Sequence, residues 1–374
     1  MKVIIAAAGT GGHINPGIAI ASIIEKKYPN SDIRFIATGK KLEEDLIHKA
    51  GYKSYKIHAY GFSKKITIDN IKKTFKTIKG FSEAKKILKE FKPDLVIGTG
   101  GYICGAVITE ANKLKIPTML HESNAYPGLA IRMLAKRVDT ILVGIEEAKN
   151  GLKNAKRVVY TGTPTKVKLE KISEEKKKKI YNELKIENKK PIVLVFGGSQ
   201  GAKKINDCIT EIIKNGNNQN YQLIWATGQE QYDTIKKELA NSKIDIEKVK
   251  NAKIFPYIYN MQDVMGISDL IVSRSGAMTL TELSLLGKPA IFIPLPSSSA
   301  NRQEDNARVF EKNNAAKIIL NNEVNSENLN NMINSIITNK ELLKKMSDAS
   351  NKLAIHNVED RILKEIEILM TKVK

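Results

Sequence analysis

The chain has 374 residues, 61 of them lysine or arginine and 40 aspartate or glutamate, for a formal net charge of +21. That length exceeds one ordinary core and suits two domains of roughly 150–200 residues, while the 42% apolar fraction excludes a globally disordered chain. The two cysteines, Cys104 and Cys208, are far apart, which excludes a disulfide framework and a cysteine metal site and fits a reducing compartment.

In chain order, KVIIAAA (2–8) reads as a buried strand and not as the start of a signal peptide. It feeds GTGGHINPG (9–17), after which PGIAIASIIEKKY (16–28) has helical periodicity with its proline near the start. DIRFIATG (32–39) reads as the next strand and KLEEDLIHKAG (41–51) as a surface helix closed by glycine. KKITIDNIKKTFKTIKGF (64–81) sets Ile71, Phe75 and Ile78 at helical spacing among Lys72, Lys73, Lys76 and Lys79. DLVIGTGG (94–101), IPTMLHESN (116–124) and TILVGI (140–145) continue as strands. Residues 168–190 are rich in lysine and glutamate and read as strandless.

The pattern restarts at PIVLVFGGSQGAKKIND (191–207), followed by YQLIWATG (221–228), AKIFPYI (252–258), DLIVSRSGAMTLTEL (269–283) and PAIFIPLP (289–296). RILKEIEILMTK (361–372) closes the chain as an amphipathic helix. No apolar run reaches the ~18–20 residues that span a bilayer. Strands alternating with helices predict an α/β chain of two tandem Rossmann-like domains, 1–163 and 164–356, with helix 357–374 packing back on the first. Ligands then belong at the carboxyl ends of the strands, in a cleft between the two sheets.

GTGGH is an incomplete dinucleotide fingerprint. The third glycine would fall at Ile14, and the second strand ends in Ala37-Thr38-Gly39 without the acid that holds a ribose. No G-x-x-x-x-G-K-[ST] motif occurs, which excludes a P-loop NTPase. The glycines at 9, 11 and 12, at 98, 100 and 101, and at 197, 198 and 201 are either tight strand-to-helix turns or backbone anion sites at helix N-termini. Three such turns in one chain favour a diphosphate ligand. Glu282, inside the helix opened by Ser275-Gly276-Ala277, is either a helix-start carboxylate or an acceptor for a vicinal diol.

GTGGHINPG, GTGGY (98–102), HESN (121–124), GGSQGA (197–202), SRSGAMTLTE (273–282) and NRQEDNA (301–307) stand in the order and spacing of one family. Over essentially the whole chain the sequence resembles the MurG family of peptidoglycan N-acetylglucosaminyltransferases. The resemblance implies the GT-B glycosyltransferase architecture and an inverting transfer of GlcNAc from UDP-GlcNAc to lipid I, giving a β-1,4 linkage. The first domain would hold the acceptor and the second the nucleotide sugar. By the same resemblance Ser199 lies near the donor diphosphate, and backbone at Ile258 reads the uracil. Ala277, Met278 and Thr279 follow the sugar diphosphate, Glu282 binds the ribose, and Gln303 contacts the sugar hydroxyls. His13 and Asn124 would face the reacting centre from the other domain, where Thr10, Gly11 and Gly12 present backbone N–H groups to the acceptor diphosphate. Lys166 stands where the family often has arginine, a point charge in place of a bidentate contact, and Arg302 and Glu304 flank Gln303 where some members have a second glutamine.

A sugar hydroxyl needs a base within hydrogen-bond reach. His13 is the candidate, against an electrostatic or loop-capping role, and Glu122 is second in line. Leaving UDP would be stabilised by N–H groups at Gly198–Ser199 and near Ala277, with Arg274 or Lys166. No Asp-x-Asp pair is evident, so no cofactor and no essential metal is expected. His48 reads as a solvated surface residue, His121 as a support behind the site, and the cysteines as core. The charge excess reflects either compositional bias or a polyanionic partner. With 6% aromatic residues and no recognition motif, nucleic acid is not expected. Segment 64–81 instead suits attachment to the cytoplasmic face of the cell membrane, unless its apolar stripe packs on its own domain. The competing functions are another UDP-sugar enzyme of the same fold (a glycolipid glycosyltransferase or a UDP-GlcNAc 2-epimerase), an NAD-dependent dehydrogenase, and a basic nucleic-acid-binding protein.

Overall fold

The computed structural model describes residues 1–60, 68–165, 172–186, 190–296 and 301–371, with backbone alone over 68–76. It divides into two units, Met1–Lys168 with Ile355–Lys374, and Leu169–Ala354.

In the first unit β1 (Lys2–Ala7) leads to α1 (Gly11–Lys27), β2 (Asp32–Ala37), α2 (Lys41–Lys49), β3 (Lys53–Lys56) and α3 (Ile68–Phe91). The chain continues through β4 (Leu95–Gly100), α4 (Ile103–Lys113), β5 (Thr118–Glu122), α5 (Leu129–Leu134), β6 (Thr140–Val143) and β7 (Val158–Tyr160). The sheet runs β3-β2-β1-β4-β5-β6-β7 and all its pairs are parallel. β1 is buried on both faces, as a central parallel strand must be. Val3 and Ile5 join the cluster under α1, while Ile4 and Ala6 join the opposite cluster with Cys104 and Val107 of α4.

The second unit opens with α6 (Glu174–Leu184), β8 (Ile192–Phe196), α7 (Lys203–Lys214), β9 (Gln222–Ala226), α8 (Gln229–Asn241) and β10 (Ala252–Phe255). It continues with α9 (Met261–Ile267), β11 (Leu270–Ser273), α10 (Ala277–Leu286), β12 (Ala290–Phe292), α11 (Arg302–Lys312), β13 (Ala316–Ile318), α12 (Ser326–Ile337) and α13 (Lys340–Lys352). Its sheet runs β10-β9-β8-β11-β12-β13, again parallel throughout.

The last helix, α14 (Val358–Thr371), packs on the first unit, burying Ile362, Ile366 and Leu369 in the cluster under α1. Arg157 fixes it with two bonds of 2.8 Å to the buried Glu365 carboxylate.

In both sheets the strand order reverses beside the first strand of the unit, between β1 and β4 and between β8 and β11. Ligands of doubly wound sheets sit at the carboxyl ends of the strands at such a reversal. The glycine motifs after β1, β4, β8 and β11 therefore stand at the reversals.

The units divide a few residues away from the expected 163/164 and 356/357, and the start of α1 also differs from the expected one. α1 begins at Gly11, which places Pro16 inside the helix and not near its start. The Thr10 carbonyl accepts from His13 N–H at 3.0 Å and Ile14 N–H at 3.2 Å, so the first turn forms ahead of the proline. Pro16 then removes only the bond to the Gly12 carbonyl, at an exposed residue.

Candidate functional site

In the first unit the loop after β1 turns at Gly9, whose φ of +104° only glycine adopts readily. Thr10 is the extended N-cap of α1 and its side chain caps nothing. The N–H groups of Gly11 and Gly12 therefore open the helix with no side-chain acceptor, beside exposed Thr10 and Gly12. Thr99 Oγ1 donates to the His13 carbonyl at 2.8 Å. The His13 ring lies against the loop after β4, where a Cβ on Gly100 would stand 2.1 Å from Nδ1.

A residue the sequence reading passed over anchors this loop. Glu43, in the first turn of α2, has no exposed surface. Its carboxylate accepts from Gly9 N–H at 2.8 Å, from Thr38 N–H at 2.8 Å and from the Thr38 hydroxyl. The helix expected to be a solvated surface element thus carries a buried acid, while His48 on its outer face is exposed.

At the end of β5, Glu122 is buried and its oxygens accept from Asn124 N–H, Asn124 Nδ2 and Gly128 N–H at 2.7–2.9 Å. The second candidate base is thus bound into its own loop, and the same bond orients Asn124. His121 is fully buried, with Nε2 3.3 Å from the Gly162 carbonyl, and burial drives its pKa down to about 4. A neutral ring there donates to the carbonyl. Lys166 lies outside the described residues.

In the second unit the loop after β8 is tightly built. A Cβ on Gly201 would meet the Thr227 carbonyl at 2.0 Å, and one on Gly228 would meet Gly201 N at 2.3 Å. Asn206 ties the neighbouring loops together. It donates to the Thr227 carbonyl and to Gln231 and accepts from the Trp225 indole, all at 2.8–3.1 Å. Ser199 is exposed at the tip. Ile258 follows β10 with its side chain buried between exposed Tyr257 and Tyr259.

After β11, Gly276 is the extended N-cap of α10 and has no side-chain cap. Ala277, Met278 and Thr279 therefore open the helix with uncapped N–H groups, the usual cradle for a phosphate. Further along the same helix Glu282 is half-buried, and among the described residues its carboxyl has no partner. Desolvation pushes its pKa up to about 7. Gln303 Oε1 accepts from Leu295 N–H at 3.0 Å, and its carbonyl accepts the Ser275 hydroxyl at 2.7 Å. Asn306, buried one turn on, donates to the Ser275 carbonyl at 3.1 Å. It lies inside the quoted NRQEDNA motif, which is the signal that could have found it.

Arg274 is held in part by its own unit, while its buried Nε has no partner among the described residues. One terminal nitrogen, Nη1, donates to the Ile293 and Pro294 carbonyls and to Asn321 at 2.8–3.1 Å. Burial lowers its pKa. Glu304 is engaged by Arg308 at 3.0 Å. Among the described residues no cluster of three or more His, Cys, Asp or Glu could hold a metal.

Two family models match. The glycosyltransferase family 28 N-terminal domain covers residues 3–143, and the glycosyltransferase family 28 C-terminal domain covers 192–362. The chain is 42% identical over 369 residues to the UDP-N-acetylglucosamine--N-acetylmuramyl-(pentapeptide) pyrophosphoryl-undecaprenol N-acetylglucosamine transferase of Ruminiclostridium cellulolyticum, covering 98% of this chain and 100% of the relative. The enzyme of the same name from Clostridioides difficile is 38% identical, with 98% and 88% covered. Among solved structures, MurG of Acinetobacter baumannii superposes with a TM-score of 0.75 at 26% identity, covering 98% and 99%. A UDP-GlcNAc 2-epimerase from Neisseria meningitidis gives 0.66 at 17% identity, covering 98% and 99%, a likeness of fold alone.

Proposed function

We infer that this chain, which belongs to glycosyltransferase family 28, transfers GlcNAc from UDP-GlcNAc to the muramoyl 4-hydroxyl of lipid I and so makes lipid II. The observation that carries the reading is in α10. Its uncapped N-terminus at Ala277–Thr279 suits a diphosphate, and the Glu282 carboxyl on the same helix, without a partner among the described residues, suits a ribose diol.

The division of labour follows. In the second unit Ser199 and the N–H groups of Ala277, Met278 and Thr279 hold the diphosphate, which takes up negative charge as UDP leaves. Backbone at Ile258 reads the uracil, and Gln303, oriented through Leu295, reads the sugar hydroxyls. In the first unit Gly11 and Gly12 N–H groups with Thr10 receive the acceptor diphosphate, Asn124 orients the acceptor, and His13 removes the proton of the attacking hydroxyl. Glu122, which accepts three bonds from its own loop, positions Asn124 and that loop and is the weaker candidate base. Lys166 neutralises the donor diphosphate. The stabilising groups are N–H dipoles and cations of the chain, so the chemistry requires no metal.

The acceptor is lipid-linked, and we place the chain at the cytoplasmic face of the cell membrane. On α3, Thr77, Gly80, Ala84, Leu88 and Phe91 face the core, and a Cβ on Gly80 would collide with the His58 carbonyl. Ile78 is 60% exposed on another face, beside Lys79. Phe75 and Ile71, three and seven residues earlier in the sequence, lie where no side chain is described. An exposed apolar position among lysines suits an anionic lipid surface. No helix of the described residues is long and apolar enough to cross a membrane.

Stabilisation by UDP and UDP-GlcNAc but not by NAD, read by thermal shift, tests the donor half. Turnover of UDP-GlcNAc without an acceptor would move the chain to the 2-epimerases.

A further inference from the structure

We propose that Glu43 is the positioning residue of the acceptor loop, an internal carboxylate that fixes where His13 and the Gly11–Gly12 N–H groups point. The proposal rests on the transferase reading above for its kinetic consequence, but not for its structural one.

In a nucleotide-binding Rossmann unit, the glycine loop after the first strand gives its N–H groups to a ligand phosphate, and an acid at the end of the second strand holds the ribose. Here both jobs are diverted inward. The Gly9 N–H points at Glu43 Oε1 at 2.8 Å, and the end of β2 gives Thr38 N–H to Glu43 Oε2 at 2.8 Å. The Thr38 hydroxyl reaches both oxygens at 2.8–2.9 Å. The carboxylate is completely buried, so no ligand can share it. Its donors are the backbone of two different loops, and it ties them into one piece.

The loop it holds is short. Gly9 is followed at once by Thr10, the N-cap, and by Gly11, Gly12 and His13. A displacement at Gly9 therefore passes to the His13 ring with little chain to absorb it. Gly9 has the least intrinsic preference for its own conformation, so the Glu43 bond selects one geometry from several. Replacing the acid by its amide turns an acceptor oxygen into an NH2 that faces N–H donors, which cannot bond to each other. One loop must then let go.

The test uses the full-length protein. Glu43→Gln, His13→Ala and the double variant are assayed with UDP-GlcNAc and a soluble lipid I analogue, and amide hydrogen exchange is followed in each. We expect Glu43→Gln to lower kcat by about 10²-fold, the usual cost of misplacing a reacting group by about an ångström, with the KM for UDP-GlcNAc within about twofold. In the His13→Ala background the same change should cost no more than about threefold, because it acts through that ring. Exchange at Gly9 and His13, whose N–H groups are bonded, should rise at least about tenfold while β4 and β5 stay protected. Equal losses in both backgrounds, or unchanged exchange at Gly9 and His13, would overturn the proposal. If Glu43→Gln does not fold, Thr38→Val, which keeps the Gly9 bond but removes the hydroxyl donor, should give the same pattern at smaller amplitude, and wild-type exchange and kcat in it would overturn the proposal equally. If the wild-type protein itself transfers nothing to the lipid, the transferase reading fails, and the exchange measurement still decides the role of Glu43.

Discussion

The imidazole of His13 occupies the space that any side chain at position 100 would need, since a Cβ on Gly100 would come within 2.1 Å of Nδ1 and 2.7 Å of Cγ. The two glycine loops of the first unit are thus a single fitted pair. The loop after β4 lacks a side chain so that the loop after β1 can place its histidine. Gly100 also sits at φ +127°, so alanine there is both strained and obstructive. Gly100→Ala should cut turnover as deeply as loss of the histidine while leaving UDP affinity within about twofold. A Gly100→Ala enzyme with wild-type kcat would show that the ring position is unimportant.

His13→Ala should itself lower turnover by ~10²–10⁴-fold, the usual range for a general base, with donor affinity little changed. Steady-state kinetics under saturating acceptor measure this. Near wild-type turnover would transfer the base role elsewhere, and Glu122 is poorly placed to inherit it, its oxygens being bonded to Asn124 and Gly128.

Glu282 gives a pH signature. Burial raises its pKa from 4.5 to about 7. The protonated form is the one the folded protein tolerates, so this group's contribution to stability is complete below about pH 4.5 and is lost as the pH rises through about 7. Glu282→Gln should therefore raise Tm at pH 8 and leave it unchanged at pH 4.5. Ribose hydroxyls donate best to the carboxylate, so UDP-GlcNAc affinity should weaken as the pH falls from about 8 to about 6. The glutamine variant should bind about tenfold more weakly at pH 8 and show a flat profile. Calorimetry across that range checks both, and a sloping profile in Glu282→Gln would remove the carboxyl from the site.

The anchor of the C-terminal helix predicts an asymmetry. Glu365 is 3% exposed, whereas the Arg157 side chain is 42% exposed. Arg157→Ala leaves a buried carboxylate unpaired and should cost about 3 kcal/mol. Glu365→Ala leaves a guanidinium that can turn to water and should cost about 1 kcal/mol. Urea titration of the two variants measures the difference, and equal costs would mean that the pair behaves as a surface salt bridge.

Phe75→Ser combined with Ile78→Ser should weaken binding to anionic vesicles and leave transfer to a short-chain soluble acceptor intact. Unchanged vesicle binding would mean that the stripe does not meet the lipid.

The architecture was legible wherever a strand is an apolar run that ends in glycine, as at β1, β4, β8 and β11. Of the four edge strands β10 was legible, but β3, β7 and β13 were not. β3 is Lys53–Lys56, with two of its four residues lysine, and β13 is three residues long, so neither carries the run of apolar residues that marks a buried strand. The start of α1 was misread because a proline usually marks a first turn, whereas here the Thr10 carbonyl nucleates the helix earlier. In the candidate site, the glycines and Glu282 stood out by motif and spacing. Glu43 and Asn306 did not, since an acid in a polar helix and an asparagine in a polar motif look solvated until the fold brings backbone donors to one and the Ser275 carbonyl to the other. Arg274 was legible as a cation in a glycine-rich loop, but not the turn of its Nη1 toward carbonyls of its own unit.

The central claim is most directly tested by incubating the purified protein with radiolabelled UDP-GlcNAc and a lipid I analogue and following the label. The account predicts one GlcNAc joined by a β-1,4 bond to the muramoyl sugar for each UDP released, and no loss of UDP-GlcNAc when the acceptor is left out. Conversion of UDP-GlcNAc at the same rate without acceptor, or no label in the lipid product, would contradict it.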